Sequence, residues 1–292
     1  MRERLYIIGN GFDRYHGIAS DYRNFAAYLA ETDRTVHRLI EEYFAGDAAF
    51  WAEFETRLAE FDADQAVDYA SQFLDDKGYG DFQFELEQIG TALSTTLTAH
   101  FGDWIRNLAI PERRSISAPL SIDVGARFLS FNYTPTLERI YGVPRDRILY
   151  IHGYAAEPGE PLILGHGWER RPEDSLNFQP DGPDDDWRVR QGIEHIDDFF
   201  AATFKPTAKR IEQNHGFFEG LAGVREVFVM GHSLAEVDHP YFEAIIDQVD
   251  LTTTRWTISV FDDHLRRGIE VAEWAIAARK IDIRRLMIRL GW

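Results

Sequence analysis

Leu5-Tyr6-Ile7-Ile8-Gly9-Asn10-Gly11-Phe12-Asp13 decides the architecture. Four consecutive apolar residues with no polar alternation describe a strand buried on both faces. The Gly-Asn-Gly that ends it starts a turn through which the backbone can approach a phosphate. Three later runs repeat the design: Arg127–Phe131 before Asn132-Tyr133-Thr134, Ile148–Ile151 before His152-Gly153, and Glu226–Met230 before Gly231-His232-Ser233. Trp256–Phe261, running into Asp262-Asp263-His264, is a fifth expected strand, and Pro161–Leu164 before Gly165 a candidate sixth. Such strands interleaved with helical patterns predict a largely parallel α/β sheet covered on both faces.

The interleaving is uneven. More than a hundred residues separate the first strand from Arg127 with almost no strand signal. In that interval Leu29, Val36, Leu39 and Ile40, then Trp51, Phe54, Leu58 and Phe61, then Phe84, Leu86, Ile89, Leu93 and Leu97 recur at helical spacing. They predict an insertion of at least three helices over 20–122. The stripe of Phe25, Tyr28 and Leu29 is read as core. The discontinuous α/β core then comprises 1–19 and 123–292. Residues 20–110 hold 18 Asp+Glu and 6 Lys+Arg, so −12 of the net −18 sits there. That face reads as a solvated bundle or as a partner surface. Gly165 to Gly192, with Pro172, Pro180, Pro183 and Asp184-Asp185-Asp186, predicts a long loop within a loop-rich segment at 165–222.

Composition narrows the function classes. The 292 residues carry 31 Lys+Arg against 49 Asp+Glu and no cysteine. A disulfide framework, a thiolate zinc site, an iron–sulfur cluster and a Cys nucleophile are excluded. The acidic balance argues against coating phosphate backbones, so nucleic acid is not expected as a partner. The first apolar run is too short for a signal-peptide core, and no run approaches a membrane span, so a cytoplasmic globular protein without a membrane partner is expected.

Ligands of open α/β sheets bind beyond the carboxyl ends of the strands, and here four such ends are small, polar or imidazole-bearing. The full G-x-G-x-x-G fingerprint fails, because Arg14 stands at its last position and no acidic residue ends a second strand where a ribose would be held. Gly231-His232-Ser233-Leu234-Ala235 resembles a nucleophile elbow. However, Asp238 before His239-Pro240 reads as a helix N-cap, which starts the helix too late, and Asp262 with His264 makes a crowded triad. His152, His166 and His232, with Asp238 or His239, are the candidate metal ligands, although no tight metal-binding spacing exists.

Taken in order, Leu5 through Asp13, then Phe131-Asn132-Tyr133-Thr134-Pro135-Thr136-Leu137-Glu138, then Ile151-His152-Gly153, then Gly231-His232-Ser233-Leu234 through Asp238 resemble the bacteriophage abortive-infection AbiH family. His16-Gly17 and the helix with Tyr22 and Phe25 extend the likeness. A remoter resemblance, of pattern, is to SIR2-type NAD-consuming domains. Gly9 and Gly11, Asn132, His152 with Gly153, and Gly231 with Ser233 occupy in order the places of that family's glycine turn, asparagine, catalytic His-Gly pair and closing Gly-x-Ser-Leu turn. The resemblances imply a SIR2/Rossmann-like fold and an antiphage effector that consumes NAD as substrate. Lysine deacylation is not implied, since the zinc ribbon of the deacylating relatives needs cysteines. Asn132 also precedes Tyr133-Thr134 where those relatives carry an acidic residue.

The residues suit that chemistry. Cleaving a nicotinamide–ribose bond passes through an oxocarbenium-like state and needs no metal. Backbone amides at Gly9–Gly11 and Gly231–Ser233 suit a pyrophosphate, with Asn10, Asp13, His232 and Asp238 as further nucleotide contacts. Asn132, donor and acceptor at once, suits the ribose and water. His152, titrating near neutrality, suits the base. Structural roles compete: Asn132 as cap of a helix from Thr134 to Tyr141, His152 as a loop histidine bonded to backbone, Asp13 as a clasp on the glycine turn. Two other functions compete as well. One is a metal-dependent nuclease or phosphoryl hydrolase built from Asp13, His152, His232 and Asp238. The other is a non-catalytic nucleotide-sensing module reporting through the helices. A phage-derived trigger, a protein partner and a homo-oligomer are all compatible with the sequence.

Overall fold

The computed structural model describes residues 3–44, 48–74, 81–178 and 186–259. Five strands form one all-parallel sheet: β1 (Glu3–Ile8), β2 (Arg127–Ser130), β3 (Ile148–Tyr150), β4 (Val224–Met230) and β5 (Arg255–Ile258). Their order is β3-β2-β1-β4-β5. This is the doubly wound Rossmann order, whose switch point lies between β1 and β4. Register brings the carboxyl ends level, because Ile8 pairs with both Ser130 and Met230, and Ser130 pairs with Tyr150. The turns at Gly9, Phe131, Ile151 and Gly231 therefore begin side by side.

Both faces are buried, which explains the unbroken apolar strands. Leu5, Ile7, Leu129, Val227 and Val229 pack with Tyr241 and Ile245 of the helix His239–Gln248. Tyr6, Ile8 and Phe128 pack with Phe12, Leu137 and Ile140. On that second face Tyr6 stacks on Phe128 and Phe228, with ring centroids 5.0 and 4.9 Å away. Cross-strand aromatic pairs of this kind add about 0.2–1 kcal/mol each to register.

The described residues divide into two compact units, one of those within 3–21, 105–162 and 206–259 that holds the sheet, the other of those within 22–104 and 163–205. The second unit is helical, with helices Tyr22–Thr32, Arg34–Tyr43, Ala63–Ser71, Asp81–Thr91 and Trp187–Ala202. Aspartates start three of them: Asp33 accepts from the N–H groups of Thr35 and Val36, Asp62 from Gln65, and Asp186 from Arg188. Each cap stabilises its helix by about 1 kcal/mol. Phe25, fully buried, meets the rings of Trp51, Phe54, Phe101 and Trp104. Lys205 is buried in an ion pair with Glu55, which also accepts from the Tyr22 hydroxyl.

Several expectations are corrected. Pro161–Leu164 forms no strand; Pro161 has no N–H to give a ladder, and the chain passes there from one unit to the other. Phe84 is 55 % exposed instead of joining the helical core. Residues 165–222 are less loop-like than their composition suggests. The helix Trp187–Ala202 starts before Gly192, and Thr207–Gln213 and His215–Glu219 follow. The helix expected from Thr134 is a single wide turn, Leu137–Tyr141. Pro180, Pro183, Asp184, Asp185, Phe261, Asp262, Asp263 and His264 lie outside the described residues. Among the described residues no helix is long and apolar enough to cross a membrane.

Candidate functional site

At the switch point the turns after β1 and β4 pack backbone to backbone. The Gly11 N–H donates to the Gly231 carbonyl at 2.7 Å, and the Gly9 N–H to that of Met230 at 3.0 Å. The Gly231 N–H donates to Ser259 Oγ at 2.7 Å. A Cβ on Gly9 would sit 2.5 Å from the His232 Cα. One on Gly231, whose φ is +66°, would sit 2.1 Å from the Phe12 nitrogen. The glycines therefore allow two turns to touch, and three of the amides expected to cradle a pyrophosphate are already engaged. Asn10 is committed as well: its Nδ2 donates to the Ser20 carbonyl at 2.9 Å and its Oδ1 accepts from the Ser20 hydroxyl. It ties down the turn after the short helix Asn10–Tyr15.

Asp13, on that helix, is 1 % exposed. Thr134 Oγ donates to its Oδ2 at 2.6 Å and lies 2.9 Å from Thr136 Oγ. Burial pushes the Asp13 carboxyl up to about 6, against the opposing pull of Thr134, Thr136 and Asn132. Asp13 Oδ1 and the Nδ2 of buried Asn132 each lack a well-formed hydrogen bond among the described residues. Asn132 is no helix cap, because the following turn has Thr136 at its N-terminal boundary. Instead its backbone N–H donates to Ser130 Oγ at 3.2 Å, and its side chain acts on the Asp13 carboxyl.

A second cluster occupies the ends of β3 and β4. Asp238 stands at the N-terminal boundary of the helix His239–Gln248, with Pro240 in the first turn, as the sequence indicates. Its side chain makes no cap. Oδ1 lies 3.8 Å from His152 Nε2, and Oδ2 lies 3.5 Å from His232 Nε2. Phe131 stands edge-on to both imidazoles, 5.3 Å from His152 and 4.3 Å from His232. Tyr241 closes the far side, 5.9 Å from His152. Its hydroxyl is held neutral well above the ordinary tyrosine range by burial and by the charge of Asp238. Tyr133, between Asn132 and Thr134 in the chain, has its ring 6.2 Å from His152 and so links the two clusters.

Ser233 is exposed on the same turn, and the helix starts at His239, which agrees with the argument against a nucleophile elbow. His166 belongs to the helical unit, where its backbone pairs with Thr203 and Lys205 and its ring meets Thr203 Oγ at 3.2 Å. Burial lowers the His166 imidazole to about 4. Among the described residues no group of three or more His, Asp or Glu side chains is disposed to hold a metal ion.

Sequence reasoning overlooked Thr134 and Thr136 as the partners of Asp13, and Phe131 and Tyr241 as the walls of the histidine pair. The signal for the first was available in Asn132-Tyr133-Thr134-Pro135-Thr136, two hydroxyls directly behind the asparagine. The family described as bacteriophage abortive infection AbiH matches this chain over residues 5–260. No curated protein matches it.

Proposed function

The chain belongs to the bacteriophage abortive infection AbiH family, and from that premise we propose that it acts by hydrolysing NAD or a related nucleotide at the nicotinamide–ribose bond. Membership supports a role in phage abortive infection; the chemistry is our reading of the site. One observation carries it. At the carboxyl edge of a Rossmann-ordered sheet, a buried imidazole backed by a carboxylate, His152 with Asp238, shares an edge with a buried amide and carboxylate, Asn132 with Asp13. The ordered likeness of Asn132 and His152-Gly153 to SIR2-type domains points the same way.

In this reading the ribose lies against Asn132, whose amide both donates and accepts. Asp13 Oδ1 accepts a ribose hydroxyl, and His152 takes a proton from a ribose hydroxyl or from the attacking water. The carbon–nitrogen bond breaks toward nicotinamide, and water supplies the new hydroxyl of ADP-ribose while its remaining proton leaves through the imidazole. With the Gly9, Gly11 and Gly231 amides engaged and the buried His232 ring committed to Leu234 N–H and Asp238, the pyrophosphate contacts fall to Ser233 and the outer rim of the turns. A phage-derived trigger or protein partner would govern when the site works.

Purified protein incubated with NAD, with nicotinamide followed by chromatography, tests the proposal. Wild type releases nicotinamide, and His152→Ala lowers the rate by about 10²–10⁴-fold, the usual worth of a general base. Nicotinamide release that survives His152→Ala refutes the assignment of the base. Cleavage of nucleic acid that EDTA abolishes would instead identify a metal-dependent phosphoryl hydrolase.

A further inference from the structure

Thr134 holds one oxygen of the Asp13 carboxyl, and the other is left without a well-formed bond. The Thr134 hydroxyl donates to Asp13 Oδ2 at 2.6 Å. A threonine hydroxyl has a single proton, so the 2.9 Å contact between Thr134 Oγ and Thr136 Oγ is donated by Thr136. The bonds form a directed chain, Thr136 to Thr134 to Asp13, among residues that are all buried. At its end, Asp13 Oδ1 and Asn132 Nδ2 are also buried, and neither makes a well-formed hydrogen bond among the described residues. Unpaired buried polar atoms are rare in native proteins and call for a functional reason.

Thr134 is built to aim its hydroxyl. Pro135 follows it, which disfavours the helical region for its backbone, and its β-branch restricts χ1. Its carbonyl lies 3.2 Å from the Tyr150 hydroxyl, and the carbonyl of the preceding Tyr133 accepts from the Ala155 N–H at 3.0 Å. The side chain is thus tied to the helix after β1, and the backbone to β3 and the chain beyond it.

We propose that Thr134 is a positioning residue of the nucleotide site: by holding Oδ2 of Asp13 it sets the carboxylate so that Oδ1, with the Asn132 amide, forms a two-atom subsite for a hydroxyl group. A hydroxyl donates to Asp13 Oδ1 and accepts from Asn132 Nδ2 at once. A carbonyl would satisfy the amide alone and set its oxygen against the carboxylate. An ammonium would satisfy the carboxylate alone. The subsite therefore selects a hydroxyl, and the identity of that hydroxyl as one from the ribose of NAD rests on the proposed function.

Burial, opposed by Thr134, Thr136 and Asn132, governs the charge of Asp13. Other charged and titratable groups border the unit. On the helix of Asp13, Arg14 pairs with Asp21 at 3.7 Å. His16 Nδ1 bonds the Phe12 carbonyl and its Nε2 the Tyr141 hydroxyl, each at 2.6 Å, and burial lowers that imidazole. Behind Thr134, the Tyr150 hydroxyl donates to Glu138 Oε2 at 2.5 Å. A bulk pH profile mixes these groups, so the Asp13 carboxyl must be read by itself.

The test titrates Asp13 in the full chain by carbon-13 NMR of labelled aspartate carboxyls, from about pH 4 to about pH 8, with the signal assigned by its loss in Asp13→Asn. Thr134→Val keeps the shape and removes the donor, so it should raise the Asp13 pKa by about 1 unit, as loss of a hydrogen bond to a carboxylate does. Thr134→Ser keeps the donor and loses only a methyl group, so Asp13 should titrate as in wild type. Thr136→Val, one hydroxyl further out, should raise the pKa by less. In nicotinamide release, Thr134→Val should raise the KM for NAD about tenfold with kcat within about twofold, the pattern of a lost binding contact, and Thr134→Ser should match wild type. A role in packing alone predicts the reverse order, with the valine variant native and the serine variant impaired. An Asp13 pKa unmoved in folded Thr134→Val, a pKa moved as far in Thr134→Ser, or an unchanged KM in active Thr134→Val overturns the proposal. Where Thr134→Val does not fold, an unmoved pKa in Thr136→Val overturns it. The expected titrations in a protein that releases no nicotinamide would refute the proposed reaction and leave the Thr134 unit standing.

Discussion

Replacing Asp13 with asparagine should make the protein more stable at pH 8 and leave it no more stable at pH 4. The carboxyl is fully buried, and burial raises it from 3.8 to about 6. Two units at about 1.4 kcal/mol each make the ionised form about 3 kcal/mol less favourable in the native state than in the unfolded chain. Because the native pKa lies above the unfolded one, this group's contribution is fully present below about pH 4. It is lost as pH rises through about 6, where the native state gives up the proton it had kept. Asparagine still accepts from Thr134 and carries no charge. Allowing about 1 kcal/mol for imperfect replacement of the charge-assisted contact, a net gain of about 2 kcal/mol is expected at pH 8. Urea denaturation of both proteins across this range measures it. The difference curve is the quantity to use, because His16 and His166, both lowered by burial, bend each separate curve the opposite way. A difference that stays flat with pH, or a variant less stable at pH 8, would refute the reasoning. A carboxylate retained where its charge weakens the fold points to a task involving ligand.

Three other outcomes follow from the geometry. Gly231→Ala, with a Cβ forced to 2.1 Å from the Phe12 nitrogen at a φ of +66°, should lose more than about 3 kcal/mol, read by thermal unfolding, and a soluble variant of native stability would contradict the packing of the two turns. Lys205→Met leaves half-buried Glu55 without this positive partner and should cost about 3 kcal/mol, whereas Lys205→Met with Glu55→Gln should recover much of that loss in the same denaturation assay. His166, held neutral by burial at about 4, contributes stability that is present above its unfolded value near 6.5 and lost as pH falls toward 4. His166→Phe should therefore flatten the acid limb of unfolding, and an unchanged limb would show that another group controls it.

The strands were legible because each is buried on both faces, so a short apolar run needs no alternation to reveal it. β1 to β4 fall within three residues of their expected bounds. Pro161–Leu164 satisfied the same apolar criterion and failed, since composition alone does not register that Pro161 lacks a ladder donor. Chain order along β1, β2, β3 and β4 was readable, whereas the meeting of β1 with β4 was not, because it depends on crossovers more than two hundred residues long. That adjacency changed the role of the glycines: Gly9, Gly11 and Gly231 look like a phosphate cradle one turn at a time, and become mutual packing once the turns touch. At Asp238 the local pattern identified the helix start correctly, with proline behind it. Its side chain lies near His232, earlier on the same turn, and near His152, which follows β3, and no local pattern carries the second contact.

The proposed activity is NAD cleavage by a site that needs His152. Its most direct test is to measure NAD and nicotinamide by chromatography in cells carrying wild type or His152→Ala, before and during phage challenge. NAD should fall and nicotinamide rise in infected wild-type cells alone, with protection lost in the variant. Protection that requires His152 while NAD stays level would refute NAD cleavage as the activity.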